Sequence, residues 1–193
     1  MESAAFSKWN AVRLSMRQRF SIFSVNAAYT YQLNVGDVSW DGPFSTPSNS
    51  YNLAADWTSV PRHQFSGSVN SRLPLGVFLT TSLAVNNGNP YSITTGKDDN
   101  ADGVINDRPP GVSRLSEIGP TYRSVSFNIS KAFRIGRDRS NGASNMNVFA
   151  NMTNAFNTVN LGTPGGVITS PFFGKSTSAS NPREIEVGLR FQF

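Results

Sequence analysis

The last ten residues of the chain alternate apolar and polar side chains almost without a break. Ile185, Val187, Leu189, Phe191 and Phe193 fall at every second position, with Glu184, Glu186, Gly188, Arg190 and Gln192 between them. Successive side chains of an extended strand point to opposite faces, so this spacing makes one apolar face and one polar face. A helix, with about 3.6 residues per turn, would scatter both sets around its cylinder.

The same period recurs upstream. Val12, Leu14, Met16 and Phe20 oppose Arg13, Ser15, Arg17 and Arg19. Phe23, Val25, Ala27, Tyr29, Tyr31 and Leu33 oppose Ser24, Asn26, Ala28, Thr30 and Gln32. Comparable stretches run over 64–73, 77–86, 124–135 and 146–153, where Phe78 and Phe149 break the pattern. This predicts an all-β chain of about seven strands, each of roughly ten residues or more, the length a tilted strand needs to cross a bilayer.

The connections alternate in length. Short ones are expected near 20–22, 73–76 and 136–145, and long ones over about 36–61, 87–121 and 157–182. Long structureless loops are uncommon inside compact soluble domains. Short turns on one side and long loops on the other suit an antiparallel transmembrane β-barrel segment with periplasmic turns and extracellular loops. The final strand then runs from outside to inside.

Composition agrees with a wall that has one apolar and one polar, mostly uncharged face. Charged residues make up 15% and hydrophobic residues 38%, against a usual charged share of about 25%. No apolar run is long enough for a membrane-crossing helix. Cysteine is absent and histidine occurs once, as His63, which removes thiolate and multi-histidine sites. The net charge of +5 comes from arginines scattered along the chain rather than gathered in runs, so a nucleic-acid partner is not expected. A soluble β-sandwich also alternates, but its water-facing side usually carries Lys and Glu; here lysine is scarce. Strict alternation sends Lys131 to the apolar face, where it is expected near the membrane interface, snorkelling, or re-aimed by a bulge.

From about Asn52 to Phe193 the chain resembles the C-terminal end of TonB-dependent receptors, in particular the subgroup with a carboxypeptidase-regulatory-like domain before its plug. The segments that carry the likeness are NNGNPYSITTGKDDNADGVINDRPPGV, SVSFNISKAFRIG and NVFANMTNAFNTVNLGTPGGVITSPFFGKSTSASNPREIEVGLRFQF, with NAVRLSMRQRF and NAAYTYQLN earlier. The resemblance implies a 22-strand barrel around a plug, of which residues 1–193 would supply about the last seven strands. It implies the bacterial outer membrane, a wall in contact with outer-membrane lipid, and no enzymatic activity. Contact with the inner-membrane TonB complex would come only through an N-terminal part. Residues 1–8 do not read as a signal peptide, so the true start is expected upstream. Seven strands alone leave two open edges, which lipid cannot satisfy. The alternatives are a non-transporting barrel or adhesin-like anchor, and a secreted carbohydrate-binding β-sandwich.

Several local motifs are candidates for function. Leu189, Phe191 and Phe193 resemble the terminal signal read by the outer-membrane barrel assembly machinery. Asp98, Asn100 and Asp102 stand at alternate positions before Gly103 and Val104, the spacing of a calcium loop. Pro109 occupies the place of the closing glutamate there, and Asp107 could substitute. The competing reading is a polar surface turn, where Asp, Asn and Gly are favoured anyway. Trp9, Tyr29, Tyr31, Tyr122 and Phe156 suit an interfacial aromatic girdle, and Trp40 and Trp57 lie in the first long loop. Glu184 and Glu186 share a face with Arg190, which suggests a lumenal charge network rather than acid–base catalysis. His63 has serines nearby, but no G-x-S-x-G turn occurs.

Overall fold

The computed structural model describes residues 7–36, 60–101, 103, 105–138 and 142–192. Its strands are β1 (Ser7–Arg19), β2 (Phe23–Gly36), β3 (His63–Leu73), β4 (Val77–Asn86), β5 (Pro90–Tyr91), β6 (Glu117–Ile118), β7 (Tyr122–Asp138), β8 (Gly142–Thr153) and β9 (Glu184–Gln192). Seven of them form one antiparallel sheet in the order β1-β2-β3-β4-β7-β8-β9. The short strands β5 and β6 pair with each other inside the β4–β7 connection. Among the described residues no helix is long and apolar enough to cross a membrane; the seven alternating strands are the elements that fit a bilayer.

The register sorts every side chain. Directly opposed residues in an antiparallel pair share a face. Leu14↔Tyr29, Tyr29↔Phe65, Phe65↔Val85, Leu79↔Ile129, Ile129↔Ala150 and Ala150↔Val187 join into one apolar face. Arg17↔Asn26, Asn26↔Ser68, Ser68↔Ser82, Ser82↔Ser126, Asn128↔Asn151 and Asn151↔Glu186 make the other face polar.

Among the described residues the apolar face has no second layer. Val187 is 72% exposed and Leu189 59%, and Ala155 is the one buried hydrophobic residue among those described. A soluble sandwich must bury the inner face of each sheet against another about 10 Å away. An exposed apolar face running across seven strands exceeds what water tolerates on a soluble monomer. Lipid is the solvent that this face fits, and the sandwich reading fails here.

Turn chemistry explains the short connections. At 20–22 the N–H of Phe20 donates to the C=O of Phe23 at 2.8 Å, and the two rings stack 4.4 Å apart. Between β3 and β4, Leu75 (φ 62°) and Gly76 (φ 72°) both take the left-handed conformation. Gly76 does so freely, whereas Leu75 bears roughly 1–2 kcal/mol of strain. The third short turn is tighter than the 136–145 expected, because β7 extends to Asp138 and β8 begins at Gly142. A register shift between Arg134 and Gly136 marks a bulge in that hairpin.

The two edges of the sheet point the same way. β1 and β9 both run from the long-loop end to the short-turn end, since six strand reversals separate them. The strand starts also step along the sheet: His63, the first residue of β3, lies opposite Tyr31, which lies opposite Val12, well inside β1. Such stagger is what a tilted barrel wall requires.

Candidate functional site: the polar wall and the long-loop lobe

The polar face is lined by short side chains. Thr80, Ser82, Ser126, Asn128, Asn151, Thr153, Glu184 and Glu186 border one hollow of about 320 Å³. Arg13, Arg17, Asn26, Ser66, Ser68 and Ser124 border a second of about 790 Å³. Hydrogen bonds run across the strands. Asn128 Nδ2 donates to Asn151 Oδ1, and Asn151 Nδ2 donates to Glu186 Oε2 at 3.0 Å. Thr80 Oγ1 donates to Asn70 Oδ1 at 2.9 Å. Glu186 is therefore held by an asparagine, and among the described residues no ion pair joins it to Arg190. The expected lumenal charge network is replaced by an amide ladder.

The two residues that break the alternation now have reasons. Phe78 stands on the polar face opposite Arg72, whose guanidinium lies 5.3 Å from the ring centroid. Phe149 lies opposite Gly188, and a Cβ built on that glycine would come within 2.4 Å of the ring. An aromatic ring thus covers a bare glycine backbone, a known device for fixing strand register. Lys131 does face the apolar side, opposite Val77, the first residue of β4, and its Nζ lies 4.8 Å from the Phe133 ring. Cation–π attraction supplements the snorkelling expected of it.

The aromatic girdle is partly corrected. Tyr29 and Tyr31 lie on the apolar face beside His63, with Tyr29 OH and His63 Nδ1 sharing a hydrogen bond of 2.6 Å. Phe156 meets Phe127 edge-on at 6.4 Å on the same side. Trp9 and Tyr122, however, share the polar face, opposite Asn34 and Asn86. Their place at strand ends suggested a girdle, but parity puts them inside the wall. Trp40 and Trp57 lie outside the described residues. His63, bound to tyrosines on the lipid side, is not assembled with a serine nucleophile.

The two long connections after β4 and β8 fold into one lobe. Thr94 N–H donates to Gly166 C=O at 2.9 Å, and Ile168 N–H donates to Thr94 C=O at 3.0 Å. Three asparagines of the TNAFNTVN segment hold its base. Asn160 accepts from Arg123 N–H and donates to Arg123 C=O, both at 2.8 Å, standing in for the strand partner that β8 no longer supplies. Asn154 accepts from Thr158 N–H and donates to the carbonyls of Thr158 and Asn181. Asn157 accepts from Arg183 N–H at 3.0 Å. Sequence reasoning gave these residues no role, because asparagines in a loop look like ordinary turn formers until the fold brings backbone groups to their amides.

In the same lobe, fully buried Asp107 accepts through Oδ2 from the N–H groups of Asp99 and Asn100. Asp98 Oδ2 accepts from Gly103 N–H at 2.9 Å. These carboxylates, expected as calcium ligands, thus organise the loop backbone. Asp102 and Val104 of that expectation lie outside the described residues. Leu189 and Phe191 sit on the outward face of β9, and Phe193 lies beyond the described residues.

A family model for an outer membrane beta barrel domain matches residues 111–186, from the end of the β4–β7 connection into β9. No curated protein matches the chain, and no solved structure does. The exposed apolar face, the polar inner face, the alternating connections and this match define the class: outer-membrane β-barrel wall. Its place is the bacterial outer membrane. Similarity to an outer membrane beta barrel domain suggests a non-enzymatic role.

Proposed function

We propose that the chain forms the last seven strands of a TonB-dependent receptor, with its long-loop lobe facing the medium. Residues 1–193 would be the C-terminal part of the barrel, and the plug and the contact with the inner-membrane TonB complex would belong to the part N-terminal to it. Leu189, Phe191 and Phe193 would serve the barrel assembly machinery. The observation that carries this reading is the direction of the two edges. A closed antiparallel ring has an even number of strands, so β1 and β9, running in parallel, close only around an odd number of further strands. The polar face adds support, because Ser, Ala and Asn leave space where a small barrel fills its interior with side chains.

A second reading is a barrel that anchors and displays its loops without transport, favoured by the firm bonding of the lobe through Asn154 and Asn160. Fractionated native cells, blotted with an antibody against residues 160–180, test the proposal. The receptor reading expects an outer-membrane band several times larger than 21.0 kDa that crosslinks to TonB. A band at 21.0 kDa in that fraction would overturn the reading. A large band without the crosslink favours the anchor.

A further inference from the structure

Short of the bulge in β7, the apolar face carries no Asp or Glu at the outward strand positions from Lys8 to Ile135 and from Ser144 to Phe191. Apart from Lys131 at the short-turn end, its basic residues gather at the other margin. Four strands run from the long-loop end to the short-turn end, β1, β3, β7 and β9. Each carries one basic side chain on this face where it begins. Lys8 is the second residue of β1, His63 the first of β3 and Arg123 the second of β7, while Arg183 immediately precedes β9 in step with Ile185. All four are exposed. Among the described residues, Lys8, Arg123 and Arg183 have no acidic partner. The stagger of the strand ends keeps these positions at one margin of the tilted wall. Tyr29 and Tyr31 flank His63 there, the aromatic company expected at a membrane boundary.

We propose that this belt binds the phosphate groups of lipid headgroups in the outer leaflet. A cation on a lipid-facing surface at the depth of the headgroups can meet anions in the lipid itself, and each Lys or Arg contributes a modest attraction that adds along the belt. Guanidinium groups suit phosphate by offering paired donors. Asn160 fixes the backbone of Arg123 from both its N–H and its C=O, so that this arginine starts from a defined position. The inference rests on the outer-membrane placement of the sheet and not on transport, so it stands or falls separately from the receptor reading.

The test uses the full protein extracted from outer membranes in mild detergent, with lipid A and its dephosphorylated form as probes and native mass spectrometry as the readout. The phosphorylated lipid should be retained more strongly. In K8Q/R123Q/R183Q its retention should fall by about fivefold per removed charge and approach that of the dephosphorylated lipid. R13Q/R17Q/R19Q, which removes three arginines from the polar face, should leave the preference intact. Equal retention of the two lipids by the unmodified protein overturns the proposal, whatever the variants do. So does a preference that survives the outer triple substitution, or one lost equally in the inner one. Should the outer triple variant fail to insert, Arg123→Gln alone supplies the comparison.

Discussion

Replacing Leu189 by Arg separates the two faces of the wall most sharply. Leu189 is 59% exposed and lies opposite Val148 on the outward side of β9, with Val187 and Phe191 two residues away on the same face. An arginine there meets little protein, so steric strain contributes little. What it meets is hydrocarbon. The cost of Arg on the lipid face is about 2–4 kcal/mol at the midplane, which corresponds to about 30- to 1,000-fold in the folding equilibrium. The same side chain at Ser126 enters the polar hollow beside Ser82, and at Gln192 it stands opposite Asn145. Each of those changes should cost under about 1 kcal/mol, the range of ordinary surface substitutions. The assay is urea-dependent refolding into lipid vesicles, followed by the gel-mobility shift between folded and heat-unfolded barrel. Equal losses for Leu189→Arg and Ser126→Arg would refute the assignment of faces.

Three further expectations concern single contacts. Asn160→Ala removes both bonds to Arg123 from a residue only 3% exposed; the lobe should lose about 1–3 kcal/mol, seen as faster amide exchange at Arg123. Asp107→Ala leaves the Asp99 and Asn100 N–H groups without their acceptor, so protease should cut the 98–107 loop several-fold faster; a chelator alone should leave that rate unchanged if the carboxylates rather than calcium hold the loop, and a faster cut would favour the ion. Gly188→Ala drives a methyl into the Phe149 ring and should cost about 1–3 kcal/mol. Combining it with Phe149→Ala should cost less than the sum of the two single changes, and strict additivity in the refolding assay would show that the two residues do not touch.

The sheet was legible in the sequence because lipid and lumen impose a period of two on each strand. The short turns at 20–22 and 73–76 were legible for the same reason, since alternation stops there. Phe78 and Phe149 resisted because parity alone cannot anticipate Arg72 or Gly188 across the sheet. Trp9 and Tyr122 were assigned by their nearness to strand ends, when their odd or even place in the strand decides the face. Asn154, Asn157 and Asn160 were hidden because their value lies in carbonyls and amides brought near by tertiary folding. The acidic loop showed its Asp spacing, but the same spacing serves to cap backbone N–H groups, and sequence alone does not distinguish the two uses.

The central claim is that the seven strands form a wall with lipid on one side and a polar interior on the other. The chain has no cysteine, so single cysteines can be placed along β9 from Ile185 to Gln192, spin-labelled in membranes, and tested for collision with oxygen and with a water-soluble nickel chelate. The account predicts oxygen access that alternates strictly, high at 185, 187, 189 and 191 and low between them, with nickel access low at the same four positions. Oxygen access without a period of two, or high nickel access at Val187 and Leu189, would contradict it.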